Sequence, residues 1–216
     1  MSQFKAGELT VDPGATILLE DDTSPYFFTL LDGWVFWHKH RRRQTRLILG
    51  FGFPGDLLGT QAVLSPGMRC SVTALTAATL CVFDRDGLEA VFRQQPPLAL
   101  ALTRKLTESV AAEQEMLASL RRRSVLEGAA FLILTLHDTA DEVSPTSNGN
   151  LNIPLDSSLL ADTLGVAHHH AERALVKLQQ SSLVEQSPDG IVILDRKQLE
   201  ETSRYERRPA IVRPLI

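Results

Sequence analysis

Residues 159–178 read LLADTLGVAHHHAERALVKL, and their pattern decides how the rest of the chain is read. One amphipathic helix runs into Gly165, a residue suited to a turn, and a second amphipathic helix follows. Two short helices joined in this way form the helix-turn-helix, whose second helix enters the DNA major groove. Leu159, Leu160, Leu164 and Val166 are spaced to pack against Ala171, Leu175 and Leu178. His168, His169, His170, Glu172, Arg173 and Lys177 then face outward and are the candidate DNA-binding residues. Arg173 is the best base reader, because a bidentate arginine on guanine is the commonest specific contact and contributes about 1–3 kcal/mol of discrimination. Glu172 can accept from a cytosine amino group but repels phosphate where it is misplaced.

The histidine triplet does not read as a metal site. Successive helical residues point about 100° apart, and zinc sites on helices use spacings of three or four. Imidazoles do gain charge in mildly acidic solution, so DNA affinity is expected to rise as pH falls from about 8 to 6.

Beyond this pair of helices, VEQS and IVILD flank the turn Pro188-Asp189-Gly190. Asp-Gly between extended segments is a hairpin signal. Helix-helix-hairpin is the winged form of the motif. The tail RYERRPAIVRPLI is basic, holds two prolines and is expected to be loosely held. Lys177, Arg121, Arg122, Arg123, Arg204, Arg207 and Arg208 are candidate phosphate contacts, with ordinary solvated charge as the alternative for each. From residue 151 onward there are eight Lys plus Arg and nine Asp plus Glu, so the region is not basic overall. Modest affinity would need two half-sites on one duplex.

Upstream, residues 138–150 (DTADEVSPTSNGN) read as a polar loop, and Val125 to Leu136 as a helix buried on several sides. Arg121-Arg122-Arg123-Ser124 marks a break. Before it, Pro96-Pro97 starts a long helix, since proline is tolerated in a first turn. Leu98, Leu102, Leu106, Val110, Leu117 and Leu120 form one apolar stripe along it, interrupted by Glu113. Such a stripe resembles a coiled-coil seam and marks a dimer interface. The alternative is that the helix packs on its own β domain. Residues 86–94 are a candidate short helix.

Residues 10–90 hold TILLE, YFFTLL, WVFWHK, RLILGF, SVTALT and TLCVFD, separated by turn signals such as Asp12-Pro13-Gly14, Asp32-Gly33 and Phe53-Pro54-Gly55-Asp56. Many short strands with frequent Gly and Pro indicate an all-β sandwich or barrel. The fold class is therefore α+β. An antiparallel β domain occupies residues 1–95, a long helix with the candidate dimer seam 96–122 and a winged helix-turn-helix 123–216.

Composition narrows the function. The 216 residues are 44% hydrophobic and 22% charged with a formal net charge of −4, which excludes a whole-chain basic field. Cys70 and Cys81 form no CxxC and sit at no metal spacing. The N-terminus lacks a signal pattern and no apolar run reaches the roughly 20 residues of a membrane span, so a cytoplasmic location without membrane contact is expected. No GxSxG, Gly-rich phosphate loop, HExxH or paired carboxylates is present, and enzyme activity is not expected.

A β-roll, a long dimer helix and a winged helix-turn-helix, in that order, resemble the CRP/FNR family of bacterial transcription regulators. The resemblance covers almost the whole chain. LLDGWVFWHK is similar to the family's strand-Gly-strand segment, with Gly33 in the turn, and LILGFGFPGDLLG to its PGD-x-x-G segment at Pro54, Gly55, Asp56 and Gly59. RRRSVLEGAAFLIL and GVAHHHAERALVKLQQSSLVE are similar to the approach to the DNA-binding domain and to its recognition helix. The resemblance implies that residues 1–95 are a β-roll sensor. It implies a homodimer that binds palindromic double-stranded DNA and touches RNA polymerase, under control of a signal in the β-roll.

It also implies an effector pocket around Gly59, Thr60, Arg69 and Cys70. Cyclic-nucleotide binders carry an acidic residue where this chain has Thr60, and Ser or Thr where it has Cys70. The ribose anchor is missing, which places the chain nearer FNR-like members. FNR's cluster cysteines are missing too, since none precedes Cys70, and an iron–sulfur cluster usually takes four thiolates. Haem, a thiol signal at Cys70 or Cys81, a small anion near Arg69, or no ligand at all remain open. His38 and His40, within HKHRRRQTR, read as decoration of an exposed basic turn. The competing reading is a sensor or scaffold of the same fold with weak or lost DNA binding, suggested by Glu172.

Overall fold

A computed structural model describes residues 5–41, 45–61, 67–87, 93–145 and 151–207. The chain forms two compact units. Of the described residues, the first holds 5–39, 49–61, 67–87 and 93–113, and the second holds 40–41, 45–48, 114–145 and 151–207.

Eight strands precede the long helix. They are β1 (Lys5–Val11), β2 (Thr16–Leu18), β3 (Tyr26–Asp32), β4 (Val35–Arg41), β5 (Thr45–Gly52), β6 (Leu57–Leu58), β7 (Ser71–Ala74) and β8 (Ala78–Asp84). They form two four-stranded sheets, in the orders β1-β8-β3-β6 and β2-β7-β4-β5. Period-two alternation sends one face of each strand inward. Leu18, Phe28, Leu30, Val35, Leu58, Met68, Val72, Ala74, Ala78 and Leu80 form one core with contributions from both sheets. Gly33 closes β3 onto β4 at φ +84, and a Cβ there would lie 2.2 Å from the Ala77 carbonyl oxygen, so only glycine fits. β1 and β6 were not anticipated, because KAGELTV is mostly exposed and β6 spans two residues. The candidate helix at 86–94 falls mainly outside the described residues.

The long helix α1 spans Pro96–Arg121. Its first turns do not wait for a partner: Leu102 is buried in a cluster with Phe27, Cys81 and Phe83, and Leu98 packs on the same cluster. Those two positions are therefore corrected from dimer seam to β-roll cover. The outer face of β3 and β8 presents Phe27 and Phe83, stacked at 5.1 Å, and that apolar surface takes the first leucines of the stripe. Leu106, Val110 and Leu117 remain exposed, and Leu100 is exposed as well.

The second unit centres on α2 (Val125–Val143), followed by α3 (Ser157–Leu164), α4 (His168–Gln180), β9 (Val184–Ser187), β10 (Gly190–Ile193) and α5 (Arg196–Ser203). Ser124 starts α2 with a reciprocal capping box, its hydroxyl accepting from the Glu127 amide and the Glu127 carboxylate from its own amide. Ala129 to Leu134 are fully covered by α3, α4 and α5. α2 runs past the expected end at Leu136, so DTADEV is helix rather than loop. The reason is burial of Asp138 and Ala140 on the packed face. β9 and β10 pair antiparallel, and Ile153 joins the hairpin through reciprocal bonds with Ile191 of 2.9 and 2.8 Å. α5 is a helix the sequence did not announce.

Candidate functional site

The turn between α3 and α4 is built locally. Asp156 caps α3, its carboxylate accepting from the Leu159 amide at 2.7 Å. Gly165 ends α3 in the left-handed conformation at φ +67, and its amide donates to the Ala161 carbonyl. Ala171, Ala174, Leu175 and Leu178 are the buried stripe of α4. Leu160 is buried on α3, with Leu159, Leu164 and Val166 half-buried, as the spacing predicts.

The opposite face of α4 is exposed at His168, His169, His170, Glu172, Arg173 and Lys177. These residues do not act as one group. His169, Arg173 and Lys177 follow at intervals of four and share one face, which exposed Val176 extends. Glu172 points about 100° away from Arg173. His168 turns back to α3, where its Nε2 lies 3.0 Å from Ser157 Oγ. The His169 and His170 rings sit 4.0 Å apart, tilted 43°. Ala167 gives α4 no side-chain cap, which leaves the positive end of the helix dipole open to an anion.

One expected phosphate contact, Arg123, is structural instead. Arg123 donates to the carbonyls of Ser119 (2.6 Å), Ser203 (2.8 Å) and Arg204 (3.1 Å), and its guanidinium lies 4.1 Å from the Phe131 ring centroid. Asp138, buried on α2, accepts from Arg196 and from the Tyr205 hydroxyl at 2.9 Å, and Arg207 lies 3.8 Å away. Residues 204–207 are thus anchored rather than loosely held, while Arg208 and the rest of the tail lie outside the described residues. Burial pushes the Asp138 carboxyl up, but the hydrogen bonds from His137, Arg196 and Tyr205 outweigh it and hold the group well below the usual carboxylate range.

The first unit holds a cavity of about 210 Å³. Gly59 and Thr60 line it, with Trp37, Phe51, Leu57 and Met68. Arg69 and Cys70 are not among the lining residues: Arg69 is exposed and Cys70 is buried in the fold. Helix α1 closes one side with Lys105, Leu106, Ser109 and Glu113. The sequence carried a trace of this, since Glu113 interrupts the apolar stripe and Asp56 belongs to the PGD segment. The pairing of Lys105 with Asp56 was not legible.

His38 is buried, not exposed in a turn, and its Nε2 lies 2.9 Å from Thr73 Oγ1. Its position inside β4 points it into the sheet's covered face. His40 is exposed. Burial pushes both the Cys70 and the Cys81 thiol up, which disfavours the thiolate a redox signal requires. Among the described residues no cluster of three His, Cys, Asp or Glu is placed to hold a metal, and no helix is long and apolar enough to cross a membrane.

Comparison with known proteins bears on both units. The family described as cyclic nucleotide-binding domain matches residues 8–95, and that described as Crp-like helix-turn-helix domain matches residues 129–202. The chain is 26% identical to the transcriptional activatory protein AadR of Rhodopseudomonas palustris, over 87% of this chain and 77% of that one. It is also 26% identical to the nitrogen fixation regulation protein FixK of Bradyrhizobium diazoefficiens, over 87% and 78%. The structure of FixK2 from Bradyrhizobium japonicum superimposes with a TM-score of 0.79 at 21% identity, covering 93% of this chain and 98% of that one.

Proposed function

We infer from the fact that the chain belongs to the CRP/FNR family of transcription regulators, with a Crp-like helix-turn-helix, that it works as a homodimer on a palindromic operator. The observation that carries this reading is the exposed face of α4, where His169, Arg173, Val176 and Lys177 stand together above a buried apolar stripe. Arg173 reads a base edge, Lys177 and the open end of α4 meet phosphates, and Val176 offers an apolar contact to a thymine methyl group. His168, His170 and Glu172 flank that face and shape its electrostatics.

Dimerisation uses Leu106, Val110 and Leu117, with Leu120 at the end of the stripe. The exposure of Leu106, Val110 and Leu117 supports this assignment, since covering such an apolar row is favourable. The signal enters the β-roll cavity at Gly59 and Thr60 and acts on α1, which lines that cavity through Lys105, Leu106 and Ser109. RNA polymerase is the further partner.

The test is selection from a randomised DNA library by the purified protein at fixed salt. Enrichment of a two-fold symmetric sequence, with half-sites about 34 Å apart, is the expected result. Enrichment of a single half-site, or of none, overturns the homodimer–operator reading.

A further inference from the structure

Charge in the β-roll cavity is arranged against an anion. Its charged lining residues, among those described, are Lys105, Asp56 and Glu113. Lys105 is 7% exposed, and its Nζ lies 3.3 Å from Asp56 Oδ1. The cation is therefore engaged by a carboxylate that is itself fixed, because Asp56 Oδ2 accepts from the Phe53 amide at 3.0 Å. Glu113 has no cation paired with it among the described residues, and it stands at the solvent-exposed rim of the cavity, where a ligand can reach it. The lining is negative with Glu113 ionised and neutral with it protonated. Arg69, the guanidinium that would suit a phosphate or carboxylate, lies outside it. An entering anion would face Glu113 with the one lining cation already neutralised.

An amine meets the opposite situation. Its ammonium group supplies the missing positive charge, and Ser109 and Thr60 add hydroxyl acceptors nearby. Trp37 and Phe51 bring aromatic rings to the lining, a residue type that suits both a cation and an apolar skeleton. At about 210 Å³ the space is smaller than the ~300–1,000 Å³ that encloses drug-sized ligands. We propose that the cavity takes a small organic amine, its ammonium group on the Glu113 carboxylate and its carbon skeleton against Trp37, Phe51 and Leu57. This rests on the reading of the β-roll as the signal-sensing unit. It also explains why Glu113 breaks the apolar stripe of α1.

The test uses the full chain and matched pairs of probes that share a carbon skeleton, such as 2-phenylethylamine with 3-phenylpropionate and isopentylamine with 4-methylpentanoate. The expected result is that the amine of each pair raises the melting temperature and its acid does not. Titration should then show Glu113→Gln weakening amine binding by about tenfold or more. Acids that bind as well as amines, pairs whose members are indistinguishable because both or neither bind, or unchanged amine binding by E113Q overturn the proposal. The operator selection on the same preparation separates the two readings. A protein that selects an operator but shows no amine preference loses the cavity inference alone. One that prefers amines but selects no DNA keeps the inference and loses the operator reading.

Discussion

Arg196 on α5 grips Asp138 on α2 with two parallel hydrogen bonds, Nη1 to Oδ1 at 2.6 Å and Nη2 to Oδ2 at 2.9 Å. The fork geometry of guanidinium on carboxylate is the strong form of an ion pair. It fastens a helix of low apolar content to the buried face of α2, and Tyr205 adds a third bond to the same carboxylate. Asp138→Asn should destabilise the second unit by about 2–3 kcal/mol, because Arg196 loses its partner in a largely covered site. Urea unfolding at neutral pH measures this.

The same pair sets an acid limit. The Asp138 carboxyl is held below its ordinary value, so its contribution to stability is fully present above the unfolded-state value near 3.9. It is lost as pH falls from there through the lower folded value. Unfolding free energy of the wild type should drop more steeply below pH ~4 than that of Asp138→Asn. Parallel curves for the two proteins would contradict the assignment.

On α4, Arg173→Ala should reduce operator affinity by about 1–3 kcal/mol and relax the choice of base at one position. Lys177→Ala should weaken binding to all sequences alike and lower the salt slope by about one. Competition binding at several salt concentrations distinguishes these two signatures.

Along α1, position decides the outcome. Val110→Glu lies on the exposed row and should give a folded monomer that has lost operator affinity. Leu102→Ala lies in the β-roll cluster and should cost about 2–5 kcal/mol of stability instead. Sedimentation and thermal melting, run on both variants, separate the roles. A monomeric V110E with intact operator binding would refute the dimer assignment.

Neither thiol should behave as a sensor. Cys70 and Cys81 are both buried and their thiols are pushed up by that burial. Alkylation by iodoacetamide should therefore be slow in the native protein and fast only in denaturant. Rapid native labelling of either residue would reopen a thiol signal.

Strong local patterns were legible without coordinates. The helix-turn-helix declared itself through spacing around Gly165, and the wing through Asp189-Gly190. β3, β4, β5, β7 and β8 appeared as apolar runs between glycine and proline breaks. Weak patterns were missed. β1 is an edge strand with little apolar content, and its pairing partner β8 is remote in sequence. α5, RKQLEETS, carries a single buried leucine, Leu199, and owes its place to Arg196. DTADEV looked like a loop because its helical fate depends on a charge partner 58 residues away.

The candidate site divides in the same way. Which residues face out from α4 followed from the helical period, because every residue concerned lies within thirteen positions. That His168 turns to Ser157, that Arg123 holds the chain at Ser203 and Arg204, and that Lys105 is neutralised by Asp56 did not follow.

The sequence by itself determined the two kinds of unit, the long helix between them and the outward face of the recognition helix. Periodicity and turn chemistry are local, and local order is written in adjacent residues. Only the tertiary structure decided which leucines of α1 cover the β-roll and which stay free. It alone gave the cavity the charge it presents, and it alone separated Arg123 and Arg196, which hold the fold, from arginines left exposed such as Arg173. A charge takes its role from the group beside it in space, and that neighbour can stand anywhere along the chain.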